Sequence, residues 1–175
     1  MSVHIVIDGY NLIRQSTTLN LIEHDHSLEE GRQALLERLV SYRKMKHHPM
    51  TVVFDGTNAD NFMVARSRRR GIHVLFSRRG ELADSVIKRI VMRERERAIV
   101  VSSDREIADF AAQHGAGAID CTEFERKMEM ATYPDMDQTD SAEIEEGWKP
   151  TTKKKGPSRR TPKRQRKSLV KKRKL

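Results

Sequence analysis

The sequence predicts an α/β fold, a three-layer sandwich around a parallel central sheet, on two observations. Short β-branched apolar runs recur along the first 130 residues, of the kind buried on both faces of a sheet, and amphipathic helical patterns separate them. Right-handed crossovers then place helices on both faces.

The runs are "VHIVI" (3–7), "MTVVF" (50–54), "GIHVLF" (71–76), "AIVV" (98–101) and "GAID" (117–120). A helix is expected from Leu28 to Met45, with apolar residues at Leu35, Leu39 and Tyr42 and a capping-box pattern of Ser27 with Glu30. Leu82, Val86, Ile87, Ile90 and Val91 mark a second helix, and Ile107, Phe110 and Ala111 a third. Thr122 with Glu125 is the expected start of a fourth. The domain is expected to fill residues 1–132.

Charge divides the rest of the chain. Residues 133–148 hold six acids and no base, and read as an acidic linker. Residues 149–175, "KPTTKKKGPSRRTPKRQRKSLVKKRKL", hold fourteen Lys or Arg and no acid, a low-complexity tail expected to be disordered when free. The formal net charge of +9 therefore conceals a net of −5 on the first 148 residues, where 20 bases face all 25 acids. Cys121 is the one cysteine, which excludes an internal disulfide and fits a reducing, cytoplasmic location. No apolar run approaches membrane-spanning length and the N-terminus lacks a leader pattern, so no membrane partner is expected.

The strand ends carry the chemistry. In an open parallel sheet the ligand crevice lies outside the carboxyl ends of the strands, where strand order reverses. Asp8 ends the first run, Asp55 follows the second in "VVFDGTN", Glu81 and Asp84 follow the third in "FSRRGELADSVIKRI", and Asp104 follows the fourth in "IVVSSDREIADF". Carboxylates gathered at one edge repel and raise one another's pKa. A divalent cation removes that cost. An oxygen-only donor set suits Mg²⁺ or Mn²⁺, and Asp8, Asp55, Glu81, Asp84 and Asp104 are the candidate ligands. Such ions activate water and stabilise a leaving oxygen in phosphodiester hydrolysis, so the constellation points to a nuclease.

Each acid also has an ordinary explanation. Asp8 could begin a turn with Gly9, although a carboxylate closing an apolar strand is costly without a partner. Asp84 falls in the first turn of its helix, where the macrodipole favours an acid. Asp55 precedes Gly56 and Asn58, common turn residues. Glu81 could simply begin the helix. Ser103 with Glu106 forms a capping-box pattern, which would leave Asp104 free for function. Asn11 could cap a short helical turn, or orient Asp8 and a metal-bound water. His24, His26, His47 and His48 read as solvated, and Cys121 as a small buried residue without a base partner.

Phosphate contacts are expected from Arg78 and Arg79, on the loop leading to Glu81, and from the cluster Arg66, Arg68, Arg69 and Arg70 before the third run. That cluster could equally be a solvated face. Aromatic residues are few, and Tyr10 is the best placed to stack on a base.

The motifs "VIDGYNLI", "VVFDGTN", "RRGELADSVIKRI" and "VVSSDREIADFA", in this order, resemble the NYN domain of the PIN-like nuclease superfamily, in its YacP-like branch, over about residues 3–130. The resemblance implies a Rossmann-like parallel sheet, Mg²⁺- or Mn²⁺-dependent ribonuclease activity and catalytic acids matching Asp8, Asp84 and Asp104. Some YacP-like proteins act as endoribonucleases on messenger RNA in association with the ribosome, which makes ribosomal RNA a candidate partner for the basic tail. PIN-type nucleases commonly draw a further acid from the region between the first two strands. By position Glu30 or Glu37 would qualify, with Asp55 preferred, and the tail is expected to lie outside the shared domain. The rival readings are a noncatalytic RNA-binding or ribosome-associated factor, and a DNA-directed nuclease of the same metal chemistry. A phosphatase is disfavoured, since the sequence shows no acyl-phosphate nucleophile motif or phosphate-cradling glycine loop.

Overall fold

Every buried strand in the computed structural model, which describes residues 3–56 and 66–132, alternates its side chains between two helical layers. The elements run β1 (His4–Asp8), α1 (Gly9–Gln15), α2 (Thr17–Asp25), α3 (Leu28–Lys46), β2 (Met50–Phe54), β3 (Arg66–Arg69), β4 (Ile72–Phe76), α4 (Ala83–Glu94), β5 (Ala98–Val101), α5 (Arg105–Gln113), β6 (Gly117–Ile119) and α6 (Cys121–Thr132). Ile5, Ile7, Val52, Phe54, Ile99 and Val101 pack toward the layer that contains α1, α2, α3 and α6. Val6, Val53 and Val100 pack toward α4 and α5. The predicted three-layer sandwich is the observed one.

Strand order in the sheet is β3-β4-β2-β1-β5-β6. The chain steps outward from β1 through β2 to β4, then returns to add β5 and β6 on the other side, so order reverses between β1 and β5. That places the crevice beyond Asp8 and Ser102.

Three features differ from the sequence expectation. The sheet is not wholly parallel, because residues 66–69 form an antiparallel edge strand against β4, with Arg66 opposite Leu75 and Arg69 opposite Ile72. All four of its residues are exposed, so β3 carries none of the apolar alternation by which a strand is recognised. Helices α1 and α2 occupy residues 9–25, a stretch without a clear helical period, where Gly9, Tyr10, Leu12, Ile13 and Leu19 are buried in the helices and the buried polar Ser16 separates them. The caps also shift. Ser27 caps α3 as expected, its hydroxyl accepting the Glu30 N–H at 3.1 Å. Asp104, not Ser103, caps α5, and Asp120 accepts the Thr122 N–H at 2.8 Å at the start of α6.

The glycine after each of the first two strands is a packing requirement. A Cβ on Gly9 would lie 2.3 Å from the Phe54 ring, and one on Gly56 would lie 1.9 Å from the Ser77 carbonyl oxygen. The aspartate beside each glycine is thereby held against the sheet end. The acidic linker 133–148 and the basic tail 149–175 lie outside the described residues, as does Asn58. No described helix is long and apolar enough to cross a membrane.

Overpacking at Gly9 should be felt in stability. Gly9→Ala is expected to lower unfolding free energy by about 1–3 kcal/mol, because the buried Phe54 ring must move, and denaturant melts read the loss directly.

Candidate active site

A cleft of about 390 Å³ opens at the carboxyl edge of the sheet, and Asp8, Asp55, Asp84 and Asp104 all line it. They come from four strand ends, as the sequence placed them. Three belong to helix N-termini. Asp8 caps α1 by accepting the Asn11 N–H at 3.2 Å, and Asp104 caps α5 by accepting the Glu106 N–H at 2.7 Å and the Ile107 N–H at 3.4 Å. Asp84 lies in the first turn of α4. Helix N-termini carry partial positive charge, so each offsets part of the repulsion among the acids.

Burial still dominates the electrostatics. Asp8 is 8% exposed, and desolvation pushes its pKa up to about 6 against the lowering effect of the Asn11 N–H, with the Asp84 and Asp104 charges adding to the rise. Asp84 is also raised, by desolvation and then by Asp104, with Lys88 pulling the other way. The cleft holds more negative charge than it accommodates comfortably.

Asn11 ties the site together. Its side-chain oxygen accepts the Ser103 N–H at 3.0 Å and the Cys121 thiol at 3.1 Å, joining α1 to the β5–α5 loop and to α6 across the point where strand order reverses. That oxygen is thus engaged in fixing Asp104 relative to Asp8. Cys121 is buried and its thiol is pushed up to about 11 by desolvation, in keeping with a packing role.

Several expected residues stand elsewhere. Glu81 does not line the cleft: its carboxylate pairs with Arg89 and accepts the Arg78 N–H at 3.4 Å, which fastens the β4–α4 loop and holds its pKa down. Tyr10 does line the cleft but is 5% exposed, its ring tilted against Phe54 at 5.1 Å and its hydroxyl accepting from Arg32 at 2.8 Å. A ring so buried is not a stacking platform. Arg78 and Arg79 are exposed on the loop at the cleft's edge of the sheet. Arg68 lies on the exposed edge strand, while Arg69 donates to Gln33 of α3 and Arg70 follows it at the opposite edge of the sheet from the aspartates. Neither Arg69 nor Arg70 lines the cleft. Glu30 is exposed beside His26, and Glu37 accepts from Gln33 at 2.8 Å in a separate groove between α3 and α6, so neither supplies a further acid here.

Arg14 and Gln15 complete the lining and have no place among the sequence expectations. They stand three and four residues after Asn11, one face of a helix. That signal is visible only once residues 9–15 are known to be helical.

The donor chemistry fits a hard divalent ion, since four carboxylates and no imidazole line the cleft. Among the described residues, however, no three Asp, Glu, His or Cys side chains are close enough to form a ready coordination group. The aspartates share a space without being drawn onto a point.

A model of the YacP-like NYN domain matches residues 5–174. The match runs on through the acidic and basic segments, beyond the 3–130 that the motifs suggest. Among solved structures, the chain is similar to the crystal structure of Rae1 (YacP) from Bacillus subtilis, with 25% identity over 77% of each chain and a TM-score of 0.63. It is also similar in fold to a tryptophan-to-leucine mutant of that protein, with 23% identity over 75% of this chain and 77% of the other and a TM-score of 0.61. No curated protein matches the chain.

The raised pKa of Asp8 has a direct consequence for stability. Ionising Asp8 costs the folded state nothing below about pH 4, where folded and unfolded forms are both protonated, and the cost grows until pH passes about 6. Asp8→Asn keeps an acceptor for the Asn11 N–H and cannot ionise. In EDTA at pH 8 it should be more stable than the parent by up to roughly 3 kcal/mol, and the gap should close at pH 4. Thermal melts at the two pH values check this.

Proposed function

Because the chain belongs to the YacP-like NYN domain family of PIN-like nucleases, we propose that it is a metal-dependent endoribonuclease whose reaction centre is the four-aspartate cleft. The observation that supports this most is the convergence of Asp8, Asp55, Asp84 and Asp104 on one solvent-reached cleft. A module that merely bound phosphate would gain nothing from four acids facing it.

PIN-like nucleases generally use divalent metal ions, and here Asp8, Asp84 and Asp104, with Asp55 beside them, would hold Mg²⁺ or Mn²⁺. The bound ion supplies activation of water and neutralisation of charge on the leaving oxygen. The chain's own residues set the stage. Asp8 must lose its proton to serve, so metal affinity should fall as pH drops through about 6. Asn11 keeps the Asp104 loop in register with Asp8. Arg14 at the cleft wall, and Arg78 and Arg79 on the neighbouring loop, are proposed to hold phosphates flanking the scissile bond. The single buried thiol is consistent with a cytoplasmic location.

The fourteen basic residues of 149–175 are proposed to add affinity for RNA, ribosomal RNA included, through counterion release. A chain ending at Gly147 should still cleave short RNA at saturation, but log Kd should depend less steeply on log salt, by about 0.7 per lost phosphate contact. Identical slopes for the two chains would remove the tail from RNA binding.

Incubation of the purified protein with labelled RNA and matched DNA, in Mg²⁺, Mn²⁺ or EDTA, tests the central reading. RNA should be cut internally and only with metal. Asp84→Asn and Asp104→Asn should each reduce the rate roughly 100-fold or more, with melts unchanged or raised. Full activity in either variant, in preparations free of contaminating nuclease, would dismiss the cleft as the reaction centre.

A further inference from the structure

The aspartate cleft continues past Gln15. Arg14 and Gln15 also line a second furrow, of about 460 Å³, that runs over the outer surface of α2 along Thr17, Asn20, Leu21 and His24. Those four residues are spaced i, i+3, i+4 and i+7, a single stripe of a helix. Leu19, on another side of α2, is fully buried. The outer stripe of a surface helix ordinarily carries charge. This one has no acid, although it adjoins a cleft with four, and it presents Leu21 at 55% exposure.

The furrow is also fixed in place. Ser16 caps α2 through the Leu19 N–H and donates to Glu125 of α6, and the Asn20 amide donates to the Arg14 carbonyl at 3.4 Å. The Arg14 guanidinium lies 5.9 Å from the centre of the Tyr10 ring, between the two spaces.

Resting on the ribonuclease reading, we propose that this furrow binds the single-stranded flank of the RNA on one side of the scissile phosphate. Arg14 takes the phosphate at the junction, where the strand leaves the acids. Leu21 and His24 give the bases an apolar and an aromatic surface, and Asn20, Thr17 and Gln15 offer donors and acceptors to base edges. The seven helical steps from Thr17 to His24 span about 10 Å, the reach of roughly two to three nucleotides. A strand crossing the acidic cleft is best received by a neighbour without acids. Sequence preference at those nucleotides would then be set on α2, away from the reacting atoms.

The experiment uses the full chain and a set of labelled RNAs that share one cleavage site, trimmed on either the 5′ or the 3′ side. Trimming one side should lower kcat/KM about 10-fold, and trimming the other should change it little. In Leu21→Glu/His24→Glu, two exposed substitutions, the long RNA should react no faster than the trimmed one, with the melt unchanged. Anisotropy in EDTA should show the same loss of affinity for long over trimmed RNA. A variant that keeps the full length-dependent gain in both assays overturns the proposal, as does a parent protein indifferent to both flanks. Failure of the parent to cleave any RNA would count against the ribonuclease reading alone, because binding in EDTA still reports on the furrow.

Discussion

A carboxylate buried at the end of the central strand is the constraint on which the rest of this structure depends. Asp8 can be carried there because α1 begins at the next residue and offers it an N–H, and because Gly9 leaves space for the Phe54 ring. Asn11, one turn on, reaches across the reversal of strand order to the Ser103 N–H and Cys121. Strand, cap, glycine and first helical turn are thus arranged around one charge. The arrangement keeps Asp8 desolvated and within reach of the Asp84 and Asp104 charges, which is why its pKa is raised.

The same economy appears at Asp104. Its Oδ1 closes the first turn of α5, a contribution to stability of the kind any N-cap makes. The same residue also lines the cleft. Capping and a place on the cleft are therefore not alternatives, and the capping-box pattern of Ser103 with Glu106 misleads because Asp104 makes the cap while still lining the cleft. Ser103 instead gives its backbone N–H to Asn11 and accepts the Cys121 N–H through its hydroxyl at 3.3 Å, serving the positioning of the loop.

What the sequence discloses follows from what leaves a local signature. Buried parallel strands are continuous apolar runs, so β1, β2, β4, β5 and β6 are legible, and with them the four acids at their ends. The exposed strand β3 owes its existence to pairing with β4, a long-range contact that "RSRR" does not advertise. Helices α1 and α2 are hidden because α1 is only seven residues long and α2 buries only Leu19, and Arg14 and Gln15 are hidden with them. Glu81 and Tyr10 mislead for a different reason. Their types and positions suit the site, but Arg89 and the Phe54–Arg32 pocket engage them, and partners distant in sequence are not visible in a motif.

Charge is sorted between the two edges of the sheet by the fold's own polarity. Helices α4 and α5 return antiparallel to the strands, so their N-termini lie at the carboxyl edge beside the aspartates and their C-termini at the amino edge. Partial positive charge at the first edge supports acids, and partial negative charge at the second supports bases. Arg43, Lys44 and Lys46 in the last turn of α3 and Arg93 in that of α4 follow the rule. So do Arg70 and Arg95, which adopt positive φ of 45° and 46° on the turns into β4 and β5, a backbone more often left to glycine. The arginines offered by the sequence for phosphate differ in where the backbone carries them: Arg78 and Arg79 follow β4 on the side of the acids, whereas the chain at Arg69 and Arg70 is at the other edge. The acidic cleft therefore has arginine close at hand, Arg14 in its own wall and Arg78 and Arg79 on the loop after β4, while the bases at the helix C-termini stand at the far edge of the sheet.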